Sequence, residues 1–236
     1  MNSLLLVDVV LVLVGCAARS PGSRPHDMSA PEHDGVAVSH EAEADAAVAN
    51  YDPSATETHL RCGAGKGSHP CWTVVTNPTE AWLAEAAEHL KLAAEHRAAS
   101  EALRTAEATA CSGLGQDERD ISPFDWAAAD IASVEPFTVR RGGKQPDERL
   151  VGAIVAVRAV EGLSSEWLQR VADCHLARNA AVGHDMPEMP DCPLVPKGAS
   201  VSVTSTGTGF AVAIRSADDE AAADILARAL RLMPAP

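Results

Sequence analysis

From Glu80 to Ser112 the chain runs without a single Gly or Pro, bracketed by Pro78 on one side and Gly113 on the other. Gly and Pro are the strongest punctuators of local structure. What remains is largely Ala, Glu, Leu and Lys, residues that favour helix. The stretch predicts one long helix, opened by Asn77-Pro78-Thr79-Glu80 with Asn77 or Thr79 as its cap. Trp82, His89, His96 and Leu103 recur every seven residues, with Ala86, Ala93 and Ser100 between them. That is one continuous stripe along the helix. Glu85, Glu88, Lys91, Glu95 and Arg97 fall mostly on other faces. His89 and His96 lie about 10 Å apart along the axis, too far to chelate one ion as a local pair. They read as partly buried histidines in a thin, Ala-rich interface.

Beyond this helix the periodicity changes. Gly113 to Pro123 is a loop, and Asp125-Trp126 starts a short helical turn. Glu135 to Arg141 and Leu150 to Val160 read as strands joined through Gly142-Gly143-Lys144-Gln145-Pro146. A helix follows to about Ala181, with Ser164 as its cap. Ala199 to Ser205 and Gly209 to Arg215 form a second hairpin, and Ala217 to Leu232 the last helix. Residues 134–236 thus carry strand-strand-helix twice. The expected class is α+β: a long amphipathic helix, then a small antiparallel sheet with helices on one face. Segment 59–133, the Cys62–Cys71 loop and the long helix, packs with it as one domain.

The N-terminal part reads differently. Residues 4–14 form an apolar run too short to span a bilayer, of the length of a signal-peptide core. Leu13-Val14-Gly15-Cys16 follows at once. This resembles the lipobox of bacterial lipoproteins. The resemblance implies a signal peptide over 1–15, cleavage before Cys16, a diacylglyceryl thioether on its sulfur and a palmitate-class acyl chain on its new amino group. Several acyl chains on one residue give stable membrane anchoring. Ala17 and Ala18 follow the Cys where Asp would mark inner-membrane retention. The resemblance therefore implies an outer-membrane anchor facing the periplasm in a Gram-negative cell. Residues 16–58 are rich in Ala, Ser, Pro, Asp, Glu and His with few large apolar side chains, so they read as a disordered tether. His26, His33 and His40 recur there, but in a disordered segment their spacing carries no geometry.

In an oxidising compartment the cysteines other than Cys16 give two disulfides and a leftover thiol. Cys62 and Cys71 enclose a Gly-rich loop and read as one bridge. Cys174 and Cys192 read as a second that staples a loop to a helix, leaving Cys111 as the leftover or a core residue. The same loop offers another reading. His175, His184, Met186 and Met189 combine imidazole and thioether, ligands that suit copper. The His184-x-Met186 and Met186-x-x-Met189 spacings resemble short segments of periplasmic copper-handling proteins.

Several classes are excluded or disfavoured. The net charge of −14 works against nucleic acid, whose phosphates need a basic face. Gly65-Lys66-Gly67-Ser68 is not a nucleotide loop, because Gly67 separates Lys from Ser and no strand precedes it. No nucleophile elbow and no His-Glu-x-x-His is present, and nothing in the spacing singles out a carboxylate pair. The sequence thus points to a lipid-anchored envelope protein that binds or interacts without catalysis, its partner another envelope component. Periplasmic copper handling through the 174–192 region is the alternative.

Overall fold

The structure, a computed structural model, describes residues 28–63, 70–142 and 147–233. The apolar run, the lipobox with Cys16, His26 and the loop 65–68 lie outside the described residues.

The segment expected as a disordered tether holds a helix, α1 (Ala30–Ala49). Its start is fully specified. The Ser29 side chain accepts from the Glu32 N–H while Glu32 Oε2 accepts from the Ser29 N–H at 2.6 Å, a capping box. Pro31 sits in the first turn, where its missing N–H costs nothing. The hydrogen bond from the Ser29 N–H holds the Glu32 carboxyl below its ordinary value. The mean apolar content of the segment is low because its buried stripe is Ala and His rather than Leu: Ala30, His33, Ala37, Ala44 and Ala47 are all buried.

The stripe lies on α2 (Glu80–Ala110), the long helix expected from the sequence. His33 faces His96 and His40 faces His89. Seven residues forward on one helix match seven back on the other, so α1 and α2 run antiparallel. Both stripes keep a strict alternation of three and four: 30, 33, 37, 40, 44, 47 on α1, and 86, 89, 93, 96, 100, 103 on α2. That is a 3.5-residue repeat, the seam of a coiled coil. Ala layers alternate with His layers along it. Ser100 Oγ donates to the Ala30 carbonyl across one end of the seam at 3.1 Å. Asp34 with Arg97 and Arg104, and Glu41 with Arg97, close its exposed edge.

Between the two helices the chain forms a ribbon of β1 (Glu57–Cys62) and β2 (Cys71–Thr76), paired antiparallel. Cys62 and Cys71 stand opposite each other and are bonded, as the sequence suggested. After α2 come two short helices, α3 (Gln116–Asp120) and α4 (Pro123–Trp126), and a 3-10 turn, Ala128–Asp130.

The rest is two hairpins and two helices. Strands β3 (Ile131–Arg141), β4 (Asp147–Arg158), β5 (Ser200–Thr206) and β6 (Gly209–Arg215) form one antiparallel sheet in the order β3-β4-β6-β5. Helices α5 (Ser165–Val182) and α6 (Asp219–Arg231) supply the strand-strand-helix repeat. The chain is thus a mixture of helix and antiparallel sheet, as the α+β class requires. Alternate residues of the central strands point into the core, Ala153, Val155 and Val157 from β4 and Phe210, Val212 and Ile214 from β6. They meet Leu168 and Ala172 of α5 and Ile225 and Ala229 of α6. Each buried Val, Leu or Ile there contributes about 1.5–3 kcal/mol. At Gly152 a Cβ would lie 2.0 Å from the Ile214 carbonyl oxygen, so β4 and β6 meet there only through glycine.

Helix α5 is buried on two sides. One side joins the sheet core. The other meets α2 and α1, where Ala181 packs with Ala30 and Leu103. The second disulfide lies at this junction and corrects the expected pairing. Cys174 bonds to Cys111, at the end of α2, and not to Cys192. Cys192 is the free cysteine among the described residues. Burial in the apolar core pushes its thiol up, which removes thiolate character.

Two outcomes follow from this packing. Ala37 is fully buried between the helices, so Ala37→Leu overpacks the seam and lowers stability by about 1–3 kcal/mol in a denaturant titration. Peptide mapping without reduction finds Cys111 linked to Cys174. Replacing that pair by Ser lowers stability by about 2–4 kcal/mol, whereas Cys192 reacts with an alkylating reagent only after denaturation.

Candidate functional site

The residues expected to hold copper are engaged separately. His175 is fully buried on α5, and its Nε2 lies 3.2 Å from the Glu118 carbonyl oxygen. His184 places Nδ1 2.6 Å from the Val195 carbonyl oxygen and braces its own loop. Met186 and Met189 are buried in the sheet core beside Cys192, where they fill space. The loop expected to be stapled by a disulfide is held by polar contacts instead. Asn179 Nδ2 donates to the Leu194 carbonyl, Arg228 to the Pro190 carbonyl, and Arg231 pairs with Asp191. His175 Nδ1 and Asn179 Oδ1, one helical turn apart, are buried with no hydrogen-bond partner among the described residues.

The structure gathers a different set of side chains. Four histidines that the sequence placed in two unrelated settings meet in the α1–α2 seam. In the inner layer His33 Nδ1 and His96 Nδ1 are 2.9 Å apart, and both rings are buried. In the next layer His40 Nδ1 and His89 Nδ1 are 3.2 Å apart, with side chains 21% and 24% exposed. The rings of His40 and His96 are 6.0 Å apart, so the two layers are neighbours.

A carboxylate joins the outer layer. Glu43 Oε2 lies 2.9 Å from His40 Nδ1 and 3.0 Å from His89 Nδ1. Glu43 is three residues beyond His40 on α1, so the helix itself places them on one face. Glu85, one turn before His89 on α2, lies 3.9 Å from the other ring nitrogen of His89. His40, Glu43 and His89 each offer one ligand atom, all within 4.8 Å of one another.

The inner pair is a buried contact with room for one proton between two facing nitrogens. One imidazole donates and the other accepts. Burial pushes His96 below the ordinary histidine range, with the neighbouring His33 and His40 acting the same way and Glu95 opposing them. Burial lowers His175 as well, partly offset by its hydrogen bond to Glu118.

The shifted carboxylates all move in the other sense from a catalytic acid. Arg104 holds Asp34 down, the Gly115 N–H holds Glu118 down and Arg178 holds Asp120 down. These are the shifts of ion pairs and caps.

A second feature stands apart from the core. The β1–β2 ribbon is exposed along nearly its whole length, and it presents Leu60, Trp72 and Val75 to solvent, 71%, 51% and 62% exposed. No described helix is long and apolar enough to cross a membrane.

The sequence held a signal for the histidine seam. The seven-residue step of His26, His33 and His40 equals that of His89 and His96, and Ala30, Ala37 and Ala44 repeat the intervening small residues of α2. The chain matches no known family, no curated protein and no solved structure.

Burial of His96 and His175 makes stability depend on pH. Their folded pKa lies below the unfolded value of about 6.5, so below that pH the unfolded chain binds more protons than the folded one. Stability is therefore lost as pH falls through about 6.5, by at most about 1.4 kcal/mol per histidine for each further unit. Thermal melts between pH 7.5 and 5.5 will show a falling Tm. In His96→Gln the fall will be shallower, even though the variant starts from a lower Tm.

Proposed function

We propose that this is a lipid-anchored envelope protein, attached to a cell membrane through Cys16, which in a Gram-negative cell is the outer membrane, facing the periplasm. Its folded part works by interaction rather than catalysis, and its contact element is the β1–β2 ribbon, with another envelope protein as partner. The observation that supports this reading is the ribbon itself. A two-stranded hairpin is marginal in water without further packing. Here it is closed by a disulfide, which persists only where the surroundings are oxidising. It also leaves Leu60, Trp72 and Val75 uncovered. Exposed aromatic and aliphatic side chains on a stiff element are anchors for a partner. Among the described residues no third strand pairs with either ribbon edge, which suits strand addition by an incoming segment.

The downward shifts of Asp34, Glu118 and Asp120 support a non-catalytic role, because a general acid at neutral pH needs a raised carboxyl. The Cys111–Cys174 bond supports the same compartment as the ribbon disulfide.

Two measurements test this reading. Metabolic labelling with an alkyne fatty acid marks the wild-type chain in the membrane fraction, and Cys16→Ser is neither labelled nor sedimented. A photoreactive residue at Val75 crosslinks a discrete envelope protein in cells, and the crosslink falls at least tenfold in Leu60→Ser/Trp72→Ser. The same probe at Leu230, which is also exposed, gives no such product. Equal crosslinking from both positions removes the ribbon from the proposal.

A further inference from the structure

We propose that His40, Glu43 and His89 form a binding site for a divalent transition-metal cation of the zinc type, which clamps α1 to α2.

The geometry is that of a coordination face. Zinc takes imidazole nitrogen at about 2.0–2.1 Å and carboxylate oxygen at about 2.0–2.2 Å in a tetrahedral arrangement. Two such ligands then stand about 3.3 Å apart. The three ligand atoms here are separated by 2.9, 3.0 and 3.2 Å. Each edge needs to open by only a few tenths of an ångström to accept the ion. Imidazole with carboxylate is the donor set of zinc sites that keep a fourth position for water or an outside ligand. The partial exposure of all three side chains provides that position.

Two further observations point the same way. Glu85 faces the remaining nitrogen of His89. A carboxylate beyond a ligating histidine is the usual outer partner, fixing the ring and raising its basicity. In addition, a carboxylate faces both rings of the outer layer at once. There Glu43 supplies the negative charge that a dication requires.

The site joins two helices that are far apart in sequence, so a bound ion adds its binding energy to their association. Because the ligands bind as neutral imidazoles, protons and metal compete for the same Nδ1 atoms. This inference does not depend on lipid anchoring or on the ribbon.

The test uses the full chain, purified without a histidine tag and stripped with EDTA, and titrated with Zn2+ against a chromophoric competing chelator at pH 7.5. One equivalent is expected to bind. The double variant His40→Ala/His89→Ala weakens it at least 100-fold, Glu43→Gln about 10-fold or more, and Glu88→Gln on an outer face less than threefold. Zn2+ raises the Tm of the wild type and not of the double variant. If the double variant does not fold, two readouts decide without it: the affinity of Glu43→Gln, and the visible absorption of Co2+-loaded wild type. An intense tetrahedral Co2+ spectrum and a weakened Glu43→Gln support the site. Wild-type affinity within threefold of either variant, or Co2+ that stays octahedral and pale, overturns it.

Discussion

The contact between Ala-lined faces of α1 and α2 governs much of what this protein can do. A helix pair comes closest when the side chains at the crossing are small, and axis separation follows side-chain size. Ala30, Ala37, Ala44, Ala86 and Ala93 set that approach here. Two backbones so close leave room for one medium-sized ring from each helix in the layers between. Histidine fills that room, and because each layer receives one ring from each helix, the rings must meet. The nitrogen pairs at 2.9 and 3.2 Å are a consequence of the Ala layers, not an independent feature. The same closeness brings Glu43 within reach of both outer rings.

The hairpin is not an isolated appendage. Helix α5 packs against both the α1–α2 pair and the sheet. Leu168 and Ala172 serve the sheet, Ala181 serves the hairpin, and Cys174 is bonded to Cys111. The disulfide therefore covalently joins the end of the long helix to the middle of the layer that bears on the sheet. Ordering α1 buries Ala and His rather than large aliphatic residues. Its entropy cost is offset by the capping box, by Ala's intrinsic preference for helix, and by the salt-bridged edge at Asp34 and Glu41.

Much of the fold was legible because it rests on strong periodicities. The Gly- and Pro-free run, the two hairpins and the Ser164 cap, whose oxygen accepts from the Trp167 N–H, appear where the sequence put them. The errors have two physical sources. Disorder was inferred for 17–58 from its lack of bulky apolar residues, a measure that cannot see an interface built from Ala and from histidines that satisfy one another. The pattern was present, with the same three-four alternation as α2, but the criterion weighed hydrophobicity and not spacing. The disulfide error is of another kind. Proximity in sequence favoured Cys192 for Cys174. Whether two cysteines can bond depends on Cα separation, and Cys111 and Cys174 have their Cα atoms 4.6 Å apart across a helix–helix contact. No local reading of residues 174–192 reveals that contact. The copper reading likewise started from ligands adjacent in sequence; in the fold His175 meets the Glu118 carbonyl, His184 meets the Val195 carbonyl, and Met186 and Met189 lie in the sheet core.

With a metal at the proposed site, the histidine layers would let one seam answer to two kinds of ion. A proton entering the inner layer must break a nitrogen–nitrogen hydrogen bond in a buried setting and charge one ring against another. It therefore opposes folding. A metal ion entering the outer layer replaces a carboxylate-bridged pair with three coordinate bonds at a site water already reaches. It therefore favours folding. Because His40 belongs to the outer layer and lies 6.0 Å from His96 of the inner one, a charge gained in either layer is felt in the other. A cation bound at His40 and His89 would make protonation of His96 still less favourable. Acid and metal then act on the same association of α1 with α2 in opposite directions. The strength of that association at a given pH depends on which ion holds the outer nitrogens.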